Sequence, residues 1–256
     1  MLDTNKPWVV LFGGAHREQA VIDMVNHGER IECVLSPIAK TDKLQNSIER
    51  LRKQDIKVLS LKKLEIEAEL EDYAHCALLS IGFPYIIPNT TLEKFKTAIN
   101  VHPTLLPKYR GVTSGAYVIL NKEEFAGSTV HFLTKDLDAG RIIAQSRVSL
   151  DEFDTTKSMQ MKVYSSESKL IQEAIIRLRK GELGHPQSES EASSYLEIRT
   201  PADSEINPRQ SLLSLYDEIR AADAVDYPAH FYLSGEKINI KLWRETKFKN
   251  DSEYSI

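Results

Sequence analysis

The chain has 256 residues, of which 41% are hydrophobic and 27% are charged, which is the balance of an ordinary folded globular protein. Its formal net charge of −4 gives no electrostatic reason to expect a nucleic-acid partner. The sequence contains no run of about 18 apolar residues that would predict a membrane span. The opening MLDTNKPW lacks the basic region and the apolar run of a signal peptide, so we expect a cytoplasmic protein.

Short apolar runs alternate with amphipathic stretches over the first two-thirds of the chain, which predicts a doubly wound, mostly parallel α/β sheet of Rossmann-like type. The expected strands are 8–12, 31–36, 56–61, 75–82, 98–101, 127–134 and 141–150. The expected helices are 17–28, 41–54, 62–73, 113–122 and a long helix from Asp154 or Thr155 to about Lys180.

The remainder of the chain has a different pattern. Residues 181–194 have the Gly, Pro, Ser and Glu content of a linker or an exposed loop. An amphipathic helix is expected over 211–223, and a β-hairpin of 230–233 with 237–243 around Ser234-Gly235-Glu236. We therefore expect a domain over 1–190 and a small α+β domain over 195–250, whose hairpin edges permit a homodimer.

A polar pair stands at the end of an apolar strand in the stretch INVHPTLLPKYRG, residues 99–111. Side chains two apart in a strand share a face, so Asn100 and His102 should project side by side, and Pro103 should end the strand there. A neutral imidazole can exchange a proton near pH 7, and an amide can donate to a developing oxyanion. The alternative is a histidine whose nitrogens are satisfied by backbone groups.

A second polar element is the sequence Asp136-Leu137-Asp138-Ala139-Gly140, between two predicted strands. A carboxylate that reached His102 would orient its ring and favour the protonated form. Sequence spacing does not establish that contact, and a DxDxG segment can equally be only a turn.

Two stretches, NVHPTLLPKYRG and GSTVHFLTKDLDAGRIIAQ, resemble the family of formyltransferases that use N10-formyltetrahydrofolate. The resemblance covers roughly residues 7–180. It implies a catalytic asparagine, histidine and aspartate at Asn100, His102 and Asp138. An acceptor amine would attack the formyl carbon, with Asn100 on the oxyanion, His102 carrying protons and Asp138 orienting His102. No metal is implied, and activity should fall in acid because the attacking amine must be neutral.

The same resemblance implies where the folate and the acceptor bind. The segment IGFPYIIP suggests one wall of a pterin slot, with the candidate residues Phe83, Tyr85, Ile86 and Ile87. Leu137 and Gly140 would form the opposite wall. The alternative for this segment is a buried strand end with a turn at Pro84. Acceptor contacts are expected in the GGAHRE loop and the strand-tip loop, at Gly14, His16, Arg17, Lys108 and Arg110, although a simple turn or a solvated loop would also explain these residues.

Four further residues receive no catalytic assignment. His131 lies inside a predicted strand and His75 at the start of another, and both are interpreted as structural. Cys33 and Cys76 lie in apolar segments without a basic partner nearby in sequence, so we expect two buried free thiols.

The C-terminal part bears on the acceptor. Segments 199–207, 219–223 and 227–243 resemble the region after the catalytic domain in methionyl-tRNA and sugar-nucleotide formyltransferases, which disfavours a glycinamide ribonucleotide enzyme. Residues 187–256 carry 8 Lys and Arg against 13 Asp and Glu, a poor surface for tRNA. We therefore expect a 4-amino sugar linked to UDP or dTDP as acceptor, made for a surface polysaccharide or glycan. The alternatives are the tRNA and glycinamide ribonucleotide enzymes, a formyl-folate hydrolase and a folate-binding regulatory relative.

Overall fold

A computed structural model describes residues 6–111, 114–193, 199–222 and 226–242. Its strands are β1 (Trp8–Phe12), β2 (Ile31–Pro37), β3 (Val58–Leu61), β4 (Ala77–Ile81), β5 (Ala98–His102), β6 (Phe125–Phe132), β7 (Ile142–Ser149), β8 (His230–Leu233) and β9 (Glu236–Asn239). Its helices are α1 (Glu18–Asn26), α2 (Asp42–Arg52), α3 (Lys63–Asp72), α4 (Asn89–Leu92), α5 (Ser114–Leu120), α6 (Thr156–Arg179) and α7 (Leu212–Ala221).

The central sheet has seven strands in the order β3-β2-β1-β4-β5-β6-β7. Strands β1 to β5 are parallel, whereas β6 is antiparallel to both β5 and β7. The predicted doubly wound, mostly parallel α/β class is therefore confirmed. Because the chain winds outward from β1 in one direction and then from β4 in the other, the order reverses between these two strands, which is where such sheets bind ligands at their carboxyl ends.

The sheet is covered on both faces. Along β1, Trp8, Val10 and Phe12 pack into one hydrophobic cluster with α1, α2 and α6, while Val9 and Leu11 pack into a second cluster with α3 and α4. All five residues of β1 are fully buried, as expected for a strand in the middle of a three-layer fold.

The long helix α6 lies on the face that contains α1. Thr155 caps it by accepting a hydrogen bond from the Ser158 N–H at 3.0 Å. Its buried stripe, which includes Val163, Leu170 and Ile171, packs on β6 and β7. The predicted helix is confirmed, and of the two predicted starting residues, Asp154 and Thr155, it is Thr155 that caps the helix.

A smaller unit follows the sheet domain. Helix α7 packs on α5, and the hairpin β8–β9 pairs His230 with Asn239 and Leu233 with Glu236. The turn contains only Ser234 and Gly235, both with positive φ, so the predicted placement of Glu236 in the turn is wrong and this residue belongs to β9. The boundary between the two predicted domains stays a proposal, and parts of the 195–250 range, including Trp243, lie outside the described residues.

Strand and helix ends differ from the predicted ones by a few residues. The predicted strand 127–134 starts two residues earlier, because Phe125 still pairs with Ser149 on β7. The predicted strand 56–61 starts at Val58, because the Ile56 N–H closes helix α2 by donating to Leu51 O. The short helix α4 was not predicted.

Both cysteines are free and buried, as predicted. Among the described helices none combines the length and apolar character needed to cross a membrane.

Candidate active site

The candidate site lies at the carboxyl end of β5. Asn100 and His102 are on the same face of this strand, and the register of the antiparallel partner β6 places His131 directly opposite Asn100. The strand runs one residue past the predicted range 98–101 and ends at His102, just before Pro103, where the proline is expected to end it. Two neighbouring strands and the loop 136–140 therefore bring polar side chains together at one edge of the sheet.

The His102 imidazole is 5% exposed and contacts an acceptor at each nitrogen. Its Nε2 lies 2.8 Å from Tyr109 O, and because a carbonyl only accepts, Nε2 carries the proton. Its Nδ1 faces Asp138 Oδ2 at 3.4 Å. Burial lowers the pKa of His102 more than the nearby Asp138 charge and the Tyr109 carbonyl raise it. The ring is therefore neutral near pH 7, with the lone pair of Nδ1 available to accept a proton.

Asp138 is held by the loop that follows β6. Its φ of 52° lies in the left-handed region. Two residues later, Gly140 packs so closely against the end of β6 that a Cβ there would lie 1.8 Å from Phe132 O. The Gly111 N–H donates to Asp138 Oδ2 at 3.0 Å. Burial alone would raise the pKa of this carboxyl, but contacts with His131 and His102 and the Gly111 N–H outweigh it and lower the pKa to about 2. Asp138 is thus an anion beside a neutral imidazole.

Asn100 completes the cluster. Its Nδ2 lies 3.2 Å from His131 Nε2 and 3.5 Å from Asp138 Oδ1. His131 Nδ1 lies 2.9 Å from Phe132 O, and in the contact with His131 Nε2 the Asn100 amide nitrogen can only donate. His131, which the sequence assigned only a structural role, therefore orients the amide of Asn100. The structure brings Asn100, His102 and Asp138 together as predicted, and their catalytic roles stay a prediction.

The segment after α6 holds both loops of the site. Gln187 Nε2 donates to Asp138 O at 2.8 Å and to Gly140 O at 2.7 Å. Arg110 donates to Gln187 and, through both terminal nitrogens, to Glu189. The sequence indicated only a linker or exposed loop here, because nothing in its polar composition shows which backbone groups its side chains bind.

The predicted pterin segment follows β4. Phe83, Tyr85 and Ile87 are half-buried against the cluster under α3 and α4, whereas Ile86 is 73% exposed. Phe83 and Tyr85 pack edge to face with ring centroids 5.4 Å apart. On the loop of Asp138, Leu137 is 39% exposed and Gly140 is buried. The first segment follows the carboxyl end of β4, whereas the loop of Leu137 follows the antiparallel strand β6, and Ile86 and Leu137 each present apolar surface to solvent.

The predicted acceptor residues of the first loop differ in accessibility. His16 is exposed, with a left-handed φ of 68°, and Gly14 packs against Gly82 where the ends of β1 and β4 meet. Arg17 is 3% exposed, and its Nε and Nη2 each lie 2.7 Å from a carboxylate oxygen of Glu167. Nη2 also donates to Val101 O at 2.9 Å. The Arg17 guanidinium is thus turned into the protein, and it supports the strand that carries Asn100 and His102.

The predicted acceptor residues of the strand-tip loop also differ. Lys108 has a half-exposed side chain whose ammonium lies 3.0 Å from Glu123. The Arg110 side chain is only 9% exposed and is committed to Gln187 and Glu189. A bound anion would therefore compete with Glu189 for Arg110.

The comparisons with known proteins identify the family. Residues 8–175 match the family model described as formyl transferase, so the chain belongs to the formyl transferase family, as the two sequence motifs predicted. A methionyl-tRNA formyltransferase from Levilactobacillus brevis is 31% identical over 198 residues, which are 75% of this chain and 62% of that protein. The chain thus spans about three fifths of the length of this curated relative.

Solved structures share the fold over nearly the whole chain. A sugar N-formyltransferase from Shewanella sp. FDAARGOS_354 has a TM-score of 0.73 at 20% identity and covers 92% of this chain and 97% of its own. The N-formyltransferase from Helicobacter canadensis, in complex with folinic acid and dTDP-3-aminofucose, has a TM-score of 0.70 at 21% identity and covers 91% of this chain and 86% of its own. The predicted folate co-substrate agrees with the folate derivative bound in the Helicobacter protein.

Proposed function

We propose that this protein transfers a formyl group from N10-formyltetrahydrofolate to the amine of a nucleotide-linked amino sugar. The observation that carries the proposal is the cluster of Asn100, His102 and Asp138, in which a neutral imidazole lies 3.4 Å from an ionised carboxylate at the carboxyl end of a sheet. Membership of the formyl transferase family supports the reaction class.

The proposed proton path follows from the tautomer of His102. The acceptor nitrogen attacks the formyl carbon and becomes cationic, and His102 Nδ1 accepts its proton. The new N–H then lies against the Asp138 carboxylate, which stabilises the imidazolium because the pair is buried. The same proton leaves Nδ1 for the folate nitrogen as the bond between that nitrogen and the formyl carbon breaks. One C–N bond forms, one breaks, and the histidine ends neutral.

Asn100 has the donor that the tetrahedral intermediate needs. One N–H of its amide is directed at His131 Nε2, which fixes the orientation of the group. The contact of the same nitrogen with Asp138 Oδ1 is long, at 3.5 Å, so a formyl oxyanion can replace this weak contact as the acceptor of the second N–H. An amide held in this way stabilises the negative charge without needing to reorient from solvent.

The choice of an amino sugar over tRNA rests on the C-terminal unit. The sugar N-formyltransferase from Shewanella has the same fold over 92% of this chain. The excess of acidic residues after residue 187 also disfavours a phosphodiester backbone as partner. We therefore propose an amine on a UDP- or dTDP-linked sugar as the acceptor.

The test is an assay of tetrahydrofolate release with purified protein, the formyl donor and a panel of UDP- and dTDP-linked amino sugars. The proposal predicts turnover with an amino sugar, loss of that turnover in His102→Ala, and retention in His27→Ala, a matched change at an exposed histidine. Turnover only with charged initiator tRNA or glycinamide ribonucleotide would overturn the acceptor and keep the chemistry. Formate release without any amine would instead identify a hydrolase.

A further inference from the structure

A second group of reactive side chains lies at the amino edge of the sheet, opposite the edge that carries His102. Glu32 is the second residue of β2, and His75 and Cys76 directly precede β4. Since β1 lies between β2 and β4, the two segments approach each other around the start of β1. Each of the three residues directs one potential metal-ligand atom at the other two.

The separations of these atoms fit one metal ion. His75 Nε2 lies 3.0 Å from Glu32 Oε2, and Cys76 Sγ lies 3.5 Å from both Glu32 Oε2 and His75 Nε2. A tetrahedral zinc ion, with its usual bonds to sulfur, nitrogen and oxygen, requires separations of about 3.3–3.6 Å between its ligands. Only the nitrogen and oxygen atoms would have to move apart, by a few tenths of an ångström.

The surroundings of His75 are those of a ligating histidine. Its Nδ1 lies 3.1 Å from Asp72 O, and its Nε2 faces Glu32 and Cys76, so a metal ion at Nε2 would replace the contacts that this nitrogen makes with them. A carbonyl on the far nitrogen is the usual second partner of a metal-bound imidazole, because it fixes the ring and raises its basicity. The ring is oriented before any ion arrives.

Access and charge also fit. The side chains of His75 and Glu32 are 56% and 35% exposed, which leaves an open path and room for a water as fourth ligand. Cys76 is buried beneath them. One thiolate and one carboxylate would exactly neutralise a divalent cation, and a mixed sulfur, nitrogen and oxygen set favours zinc over magnesium or calcium.

We propose that Glu32, His75 and Cys76 form a zinc(II) site at the amino edge of the sheet, with a water molecule as the fourth ligand. The ion ties the start of β2 to the start of β4 and takes no part in formyl transfer. Binding converts the Cys76 thiol to a thiolate and releases its proton to solvent.

Without a metal the same three groups can form a hydrogen-bonded cluster. Burial and the Glu32 charge raise the pKa of the Cys76 thiol to about 12, so in that state the S–H can donate to Glu32. Zinc must displace this proton, which makes its affinity increase with pH. The two states can be distinguished with cobalt. Co²⁺ bound at this site in place of zinc absorbs visible light, whereas the metal-free cluster does not.

The experiment titrates chelator-treated full-length protein with Zn²⁺ by calorimetry and with Co²⁺ by absorption spectroscopy. The proposal predicts one ion per chain, the visible bands of tetrahedral cobalt and a near-ultraviolet thiolate-to-cobalt band. At a free Zn²⁺ concentration of about 100 times Kd, Tm should rise by roughly 5–10 °C.

Two pairs of variants make the test specific. Cys76→Ala should abolish the thiolate band and Cys33→Ala should keep it. His75→Ala should weaken Zn²⁺ binding at least about tenfold, and His27→Ala, whose ring also contacts a backbone carbonyl, should not. His75 is exposed, so its variant is expected to fold. Binding that survives both Cys76→Ala and His75→Ala, or the lack of any binding by the unaltered protein, would overturn the proposal.

Discussion

Replacing Arg17 by methionine tests whether its buried ion pair supports the catalytic strand. Arg17 and Glu167 have side chains that are 3% and 0% exposed. Without the guanidinium, Glu167 keeps, among the described residues, just the hydrogen bond from Ser128 Oγ, and Val101 O loses its side-chain donor. Breaking a buried pair from one side costs about 3–5 kcal/mol. In a chain of this size that loss corresponds to a fall in Tm of roughly 6–20 °C.

Urea denaturation, monitored by circular dichroism, measures the free energy of unfolding directly. The midpoint should fall while the slope stays constant, since the extent of the fold is unchanged. Adding Glu167→Gln to Arg17→Met should recover part of the loss, because it removes the unpaired charge and keeps an acceptor for Ser128. The control is Lys94→Met, which breaks an exposed pair with Glu71 and should cost no more than about 1 kcal/mol. If Arg17→Met costs no more than this control, the supporting role of Arg17 is refuted.

Three further predictions concern the candidate site itself. Asp138→Asn should lower kcat by about 10²–10⁴-fold with little change in KM, because the carboxylate stabilises the His102 imidazolium only during the reaction; an unchanged kcat would contradict this. The lowered pKa of Asp138, about 2 against an ordinary 3.8, contributes about 2 kcal/mol of stability. This contribution is complete above the ordinary pKa and is lost as pH falls through 2, so acid denaturation of Asp138→Asn should be shallower over pH 2–4. Gly140→Ala should reduce both stability and activity, because its Cβ would lie 1.8 Å from Phe132 O, whereas Gly115→Ala, whose nearest neighbour is at 3.5 Å, should preserve both in the same melting and turnover assays.

The parts of the fold that the sequence predicts are those set by local periodicity. The burial of β4 and β1 on both faces follows from their continuous apolar runs, because a strand places successive side chains on opposite faces. The polar pair at the end of β5 is predictable for the same reason, because a period of two places Asn100 and His102 side by side. The resemblance to a family then supplied Asp138, which spacing alone could not join to His102.

The parts that the sequence did not predict depend on contacts between distant residues. In the sequence, Arg17 is predicted to contact the acceptor because it lies in a glycine-containing loop before a helix. Its partner Glu167 is 150 residues away in the chain, and only the packing of α6 brings the two side chains together. The sequence indicates only that His131 lies in a strand. The register of β6 against β5 is needed to place it opposite Asn100. Gln187 occupies a polar, proline-containing stretch that gives no periodic signal. In each case the partner is fixed by tertiary structure and not by the neighbouring sequence.

The attachment of the segment after α6 limits how such proteins can be recombined. Besides the bonds of Gln187 and Glu189, the Ser193 hydroxyl accepts from the Tyr109 N–H at 2.9 Å, and Ser193 O accepts from the Arg110 N–H at 2.8 Å. A chimaera that exchanged the C-terminal unit at the end of α6 would thus also remove the bonds that fix the loops of Asp138 and His102. Its loss of activity would be mistaken for a changed acceptor preference. Crossing over after Ser193 would keep these bonds, so acceptor recognition could be transplanted separately from the catalytic geometry.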